Sequence, residues 1–253
     1  MTIAARTLDG HSGPVMVCRL LPHLALFVAG LVGGFAGGPA LARPPLLGPQ
    51  GVVLYVHSDL ENAEFVDLLV CELSRVLVAP VRAQGLDLPV DIGLMASSTQ
   101  IAADKLAGRF FQATAGDGGS RTFRFLLLPY DLRAGNYRYV FAASFGAPHD
   151  GGVVSTARLA PNAADFSREQ TTRITLDRTY KVILRYIGQI SGLWMSNGCV
   201  LAMPRGIDEL DSKSREFCDG DRDALVEAGV LKAKPGGACT PIASIIPGAI
   251  ALR

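Results

Sequence analysis

A mixed α/β (α+β) single domain is the fold class predicted by this 253-residue sequence. Short β-branched and apolar runs alternate with segments of helical periodicity. One long helix with an apolar face follows, and the chain then turns loop-rich. Hydrophobic residues make up 49% of the chain and charged residues 19%, enough to build a sizeable core and to exclude a disordered chain.

The N-terminal 42 residues stand apart from the domain. Arg19 supplies a basic start, Leu24–Phe35 an apolar run, and Ala40-Leu41-Ala42 a small-x-small end. This pattern predicts a secretory signal peptide over 1–42, with Met16 as an alternative start, cut after Ala42. A membrane anchor fits less well, because the run is glycine-broken and well under the roughly 20 residues needed to span a bilayer. The mature chain then carries 22 basic and 22 acidic residues, two histidines (His57 and His149) and four cysteines. Its near-zero net charge excludes attraction to nucleic acid or an anionic membrane. An even cysteine count in an exported chain fits up to two disulfides.

Residues 43–50 read as a linker, 51–231 as the domain and 232–253 as a Pro/Gly-rich tail. Within the domain, "GVVLYVHSD" (Gly51–Asp59) is a buried strand by its β-branched run and terminal turn residues. Phe65, Leu68, Leu69, Leu73 and Val76 mark an amphipathic helix over Glu61–Val78. "DLPVDIGLM" is a second strand, and a helix follows near Ile101–Gln112. "TFRFLLLP" and "YRYVFAASF" read as central strands and "GGVVSTARLA" as another. Ile174, Tyr180, Ile183, Leu184, Ile187 and Ile190 then mark a helix from Thr172 to Gly192, with Ile183, Ile187 and Ile190 inward. A short polar helix is expected at Asp219–Ala228.

Three stretches occur in a telling order: "RFLLLPYDLRAGNYRYVFAASFGAPHDGGVVSTARL", the helix "KVILRYIGQISGLWMSNGCVLAM", and "DSKSREFC". Together they resemble the archaemetzincins, metzincin-type zinc metallopeptidases whose helix carries H-E-x-x-H-x-x-G-x-x-H. The resemblance covers roughly Gly51–Leu231 and implies a zincin-like domain with a mixed sheet and a long active-site-type helix. It makes Gly151–Leu159 the edge strand of a substrate cleft, with Gly152, Val153, Val154, Ser155 and His149 as cleft residues. Gly192 is the turn glycine and Met203 the turn methionine. The three histidine positions fall on Arg185, Gln189 and Met195, and the glutamate position on Tyr186.

None of these residues does the family's chemistry. Zinc needs lone-pair donors, two of them on one helix face and a third after a sharp turn. Arg185 is permanently cationic and offers none. Gln189 is a weak carbonyl donor and Met195 a thioether ill suited to zinc. Tyr186, with an ordinary pKa of about 10, is a poor base at neutral pH. With two histidines in the mature chain, no shift of register rebuilds the motif. No zinc or other cofactor is therefore expected, and no catalytic residue is assigned.

The family's structural zinc site also changes, with Ser196 and Asp221 at two cysteine positions. Its cross-link is expected to persist as a Cys199–Cys218 disulfide, which leaves Cys71 and Cys239 as a second pair. Arg185 either faces solvent or points into the old metal position, where Asp150, Asp208, Glu209 or Asp211 would partner it. Tyr186 and Trp194 read as packing residues and His57 as structural. Three functions stay open. The first is a secreted pseudopeptidase whose cleft binds peptide or protein. The second is a hydrolase with a site rebuilt from His57, His149 and carboxylates. The third is an envelope structural or interaction protein.

Overall fold

The computed structural model describes residues 45–60, 63–117, 119, 121–147, 149–194 and 198–239. The expected export segment, Met195 and the tail beyond Cys239 lie outside the described residues.

Five strands form the main sheet in the order β2 (Val81–Leu86), β1 (Gly51–His57), β4 (Thr122–Leu128), β7 (Gly151–Ser155), β6 (Ala142–Phe145). All neighbours run parallel except the β6–β7 pair, which is antiparallel. A parallel sheet needs cover on both faces, and the central strands are accordingly apolar on both. Val52, Leu54, Phe123, Phe125, Leu127 and Val154 share one core with helices α1 (Ala63–Val76) and α3 (Arg168–Ile190). Val53, Tyr55, Leu126, Leu128 and Val153 point the other way, into a second core under α2 (Ala103–Ala113). The two-residue strands β3 (Ile101–Ala102) and β5 (Leu132–Arg133) pair beside it.

Helix α3 begins four residues before Thr172. The reason is local: "SREQ" makes a capping box, with Ser167 Oγ accepting from the Gln170 amide and Gln170 Oε1 accepting from the Ser167 amide. Ile183 and Ile187 are fully buried, each contributing roughly 2 kcal/mol. Ile190 packs half-buried at the margin of the same core. The helix stops as a Schellman turn: the Leu193 amide returns to Gly188 O at 3.0 Å, and Gly192 takes the left-handed φ of +110° that this turn demands. Gly188 has a different role. A Cβ there would sit 2.7 Å from the Phe217 ring, so only glycine lets the C-terminal segment cross the helix this closely.

Several expectations are corrected. "DLPVDIGLM" forms no strand; the partner of β1 is the preceding "VRAQGL", a polar edge that lacks the apolar alternation of a buried strand. Tyr137–Phe145 is not a central strand: only Ala142–Phe145 is extended, and it closes the sheet's end. The strand expected over Gly151–Ala160 ends at Ser155, and it is internal rather than an edge. Residues 46–50 are no free linker, since the Leu47 amide donates to Ser191 O and Leu46 packs on the core. A short helix missed in the sequence, α4 (Ile207–Ser212), follows α3, and α5 (Asp219–Glu227) lies where the polar helix was expected.

Two disulfides close the C-terminal part. Cys199 joins Cys218 with Cα atoms 5.4 Å apart, and Cys71 joins Cys239 at 5.9 Å. The second brings the tail back to α1, where the Gly236 amide also meets Arg75 O at 2.8 Å. Among the described residues, no helix is long and apolar enough to cross a membrane.

Candidate functional site

Below the end of β6 lies a cleft of about 380 Å³, lined by Tyr137–Ala142, by Val182, Arg185 and Tyr186 of α3, by Met203–Arg205, and by Leu210 and Lys213. The helix reaches it with an unexpected face. Arg178, Lys181 and Arg185 are all buried despite their charge. They recur at i, i+3 and i+7, which places them on one stripe.

That stripe grips the chain that follows the helix. Arg178 clamps Asp211 with two 2.7 Å bonds and donates a third, at 2.9 Å, to Leu159 O. The guanidinium holds the Asp211 carboxyl below its usual range. Lys181 caps the end of α4 by donating to Leu210 O and Asp211 O, and pairs with Asp177 at 2.9 Å. Arg185 Nε donates to Leu201 O at 3.3 Å, and its guanidinium carbon lies 5.1 Å from the Tyr186 ring centroid. The next carbonyl, Ala202 O, accepts from Lys213 Nζ. Two cations therefore meet at consecutive carbonyls on the cleft wall. Burial, and then the charges of Arg185 and Lys181, push Lys213 down to about 8.

Tyr186 has turned the opposite way, to the sheet. Its hydroxyl donates to Ala142 O at 2.8 Å, and burial raises its pKa against the pull of Arg185. A buried neutral donor of this kind is no proton acceptor. Gln189 is half-buried and Met203 55% exposed.

Three of the carboxylates considered for Arg185 are engaged elsewhere or distant. Asp211 belongs to Arg178, and Glu209 pairs with Arg205 at 3.8 Å. Asp150 lies where β7 begins, at the end of the sheet remote from this cleft. Gly152, Val153, Val154, Ser155 and His149 do not line the cleft. The strand is squeezed between neighbours, where a Cβ at Gly152 would sit 2.4 Å from Ala143 O. His149 stacks on Phe111 of α2, with ring centroids 4.5 Å apart, over the other face of the sheet. His57 is buried, with Nε2 2.9 Å from Leu88 O and Nδ1 accepting from the Asp59 amide. The two histidines do not converge. Among the described residues, no group of three or more His, Cys, Asp or Glu side chains is placed to hold a metal ion.

Three solved structures are similar over most of this chain. The archaemetzincin of Archaeoglobus fulgidus, bound to malonate, shares 18% identity and a TM-score of 0.53, covering 69% of this chain and 99% of its own. A zinc-dependent peptidase of Methanocorpusculum labreanum shares 22% identity at TM-score 0.55, covering 69% and 100%. The archaemetzincin of Methanopyrus kandleri shares 21% at 0.54, covering 71% and 95%. The chain has the archaemetzincin fold. No family model matches the sequence, and no curated protein is a significant match.

An archaemetzincin-like fold implies zinc on this helix, and the residues present do not fit it. Arg185 and Tyr186 are hydrogen-bond donors committed to protein carbonyls, and a cation at Arg185 repels a second one. The sequence reading missed Lys213, Arg138, Arg205, Tyr137 and Tyr139, which line the cleft. A signal existed: Arg178, Lys181 and Arg185 interrupt the apolar periodicity of α3 at helical spacing, and "NYRYVF" sets Tyr137, Arg138 and Tyr139 side by side.

Proposed function

We propose that this chain is an exported, non-hydrolytic protein that uses the cleft of a peptidase fold to bind peptide. One observation carries the reading: the residues at the metal-ligand and base positions are built into the protein's own hydrogen bonds, Arg185 to Leu201 O and Tyr186 to Ala142 O. A site for metal-activated water needs acceptors at both places. Export is supported by the N-terminal pattern of Arg19, Leu24–Phe35 and Ala40–Ala42, and by the two disulfides. The likeness to zinc-peptidase structures supports a peptide-sized cleft as the part put to use.

The edge open to a bound peptide is β6. The Ser155 amide donates to Phe141 O at 2.9 Å, so by antiparallel alternation Ala142 and Ser144 turn their amides and carbonyls away from β7. Strand addition there needs no metal. The test is elemental analysis of the purified, exported protein together with a peptidase assay with and without chelator. We expect less than a tenth of an equivalent of zinc and no chelator-sensitive cleavage. Stoichiometric zinc with chelator-sensitive proteolysis would refute the reading.

A further inference from the structure

We infer that the cleft is a receptor for the C-terminal carboxylate of an extended peptide, received between Arg185 and Lys213 at the point where β6 can no longer pair. The inference rests on the peptide-binding reading and adds the end and the charge of the ligand. Three observations carry it.

The first is a stop. Ala142 turns its carbonyl outward, and Tyr186 already occupies it at 2.8 Å. Ser144, two residues further along, has its outward amide and carbonyl outside the β6–β7 ladder, and no other hydrogen bond among described residues uses them. A peptide laid along β6 therefore pairs at Ser144 and loses its partner at Ala142. It ends there rather than passing through.

The second is the sign of the charge at that stop. Arg185 and Lys213 meet at the adjacent carbonyls of Leu201 and Ala202, and Arg138 and Arg205 stand at the rim. Among the described residues that line the cleft there is no aspartate or glutamate. The Glu209 carboxylate, outside the lining, meets only Arg205 among the described residues. Such a site repels the ammonium end of a peptide and attracts its carboxylate.

The third is the wall. Val140, Phe141, Ala142, Val182 and Leu210 are apolar, which suits a last side chain that enters with the carboxylate. The amine of Lys213 is also under strain from burial and like charge, as its lowered pKa records. A carboxylate beside it relieves that strain.

The experiment is fluorescence anisotropy with three labelled heptapeptides of alternating valine and threonine. One has a free C-terminal acid, one a C-terminal amide, and one an amide with glutamate as its last residue. We expect the free acid to bind at least tenfold more tightly than both amides. In Lys213→Met, checked for folding by its melting temperature, that preference should fall to less than threefold. Arg185→Met gives an independent second reading of the same loss. Equal binding of acid and plain amide would overturn the carboxylate receptor while leaving peptide binding intact. Preference for the glutamate amide would overturn C-terminal recognition in favour of an acidic side chain. Failure of all three peptides to bind would overturn both readings.

Discussion

Replacing the half-exposed Asp211 with alanine should destabilise the protein more than replacing the buried Arg178 with methionine. The two form one clamp that seats α4 against α3 and so sets the floor of the cleft. What matters is the group left behind. In Arg178→Met the orphan is a carboxylate whose side chain is 44% exposed, and water can solvate it. The loss is then two charge-assisted bonds to a rehydrated partner and one bond to Leu159 O, about 2 kcal/mol. In Asp211→Ala the orphan is a guanidinium with a side chain only 10% exposed, which keeps its bond to Leu159 O. Stranding a buried charge costs roughly 3 kcal/mol or more. Urea denaturation at pH 7 should show both variants with unchanged m-values and this order of midpoints. In a domain of this size the melting temperatures should fall by about 4–8 °C and 6–12 °C. The gap between wild type and Arg178→Met should also close in acid. The carboxyl of Asp211 is held low by Arg178, so its contribution is complete above the ordinary value of about 3.9 and disappears as pH falls through the folded value. An Arg178→Met variant less stable than Asp211→Ala at pH 7 would refute the argument.

Two other outcomes are open to measurement. Cys199→Ser/Cys218→Ser opens a bridge of sequence separation 19 and Cys71→Ser/Cys239→Ser one of 168. Chain entropy predicts losses of about 3 and about 5 kcal/mol respectively, and thermal melts with non-reducing peptide mapping test both. Free thiols in protein made in an oxidising compartment, or the reverse order of losses, would contradict it. Lys213 should make stability rise between about pH 8 and pH 10.5, because there the folded amine is neutral while the unfolded one still binds a proton. Allowing for the water that reaches this half-buried group, the rise is about 1 kcal/mol. It should be missing in Lys213→Met, and identical pH profiles for the two proteins would show that Lys213 is not strained.

Much of the fold was legible because its causes are local or periodic. The strands β1 and β4 announce themselves as unbroken apolar runs, and α3 by Ile183 and Ile187, although its start at the Ser167/Gln170 capping box was missed. The incompatibility of Arg185, Tyr186 and Gln189 with a zinc site is likewise a matter of residue chemistry. The edge of the sheet was misread for the converse reason. Both Gly151–Ser155 and Ala142–Phe145 are short and apolar, and which of them lies outermost depends on which one pairs with β4, a choice no local pattern encodes. The polar β2 was missed because an edge strand has little to bury.

The sequence by itself determined that this helix cannot hold metal through three histidines, since side-chain identity settles which atoms have lone pairs to give. Only the tertiary structure decided what the substituted residues do instead. Tyr186 turns to the sheet because Ala142 O is within its reach, and Arg178, Lys181 and Arg185 point inward because the returning chain presents a carboxylate and carbonyls at matching height. Lys213 becomes part of the cleft for the same reason: a charge acquires its function from what faces it across the fold, and no local pattern in the chain encodes that neighbour.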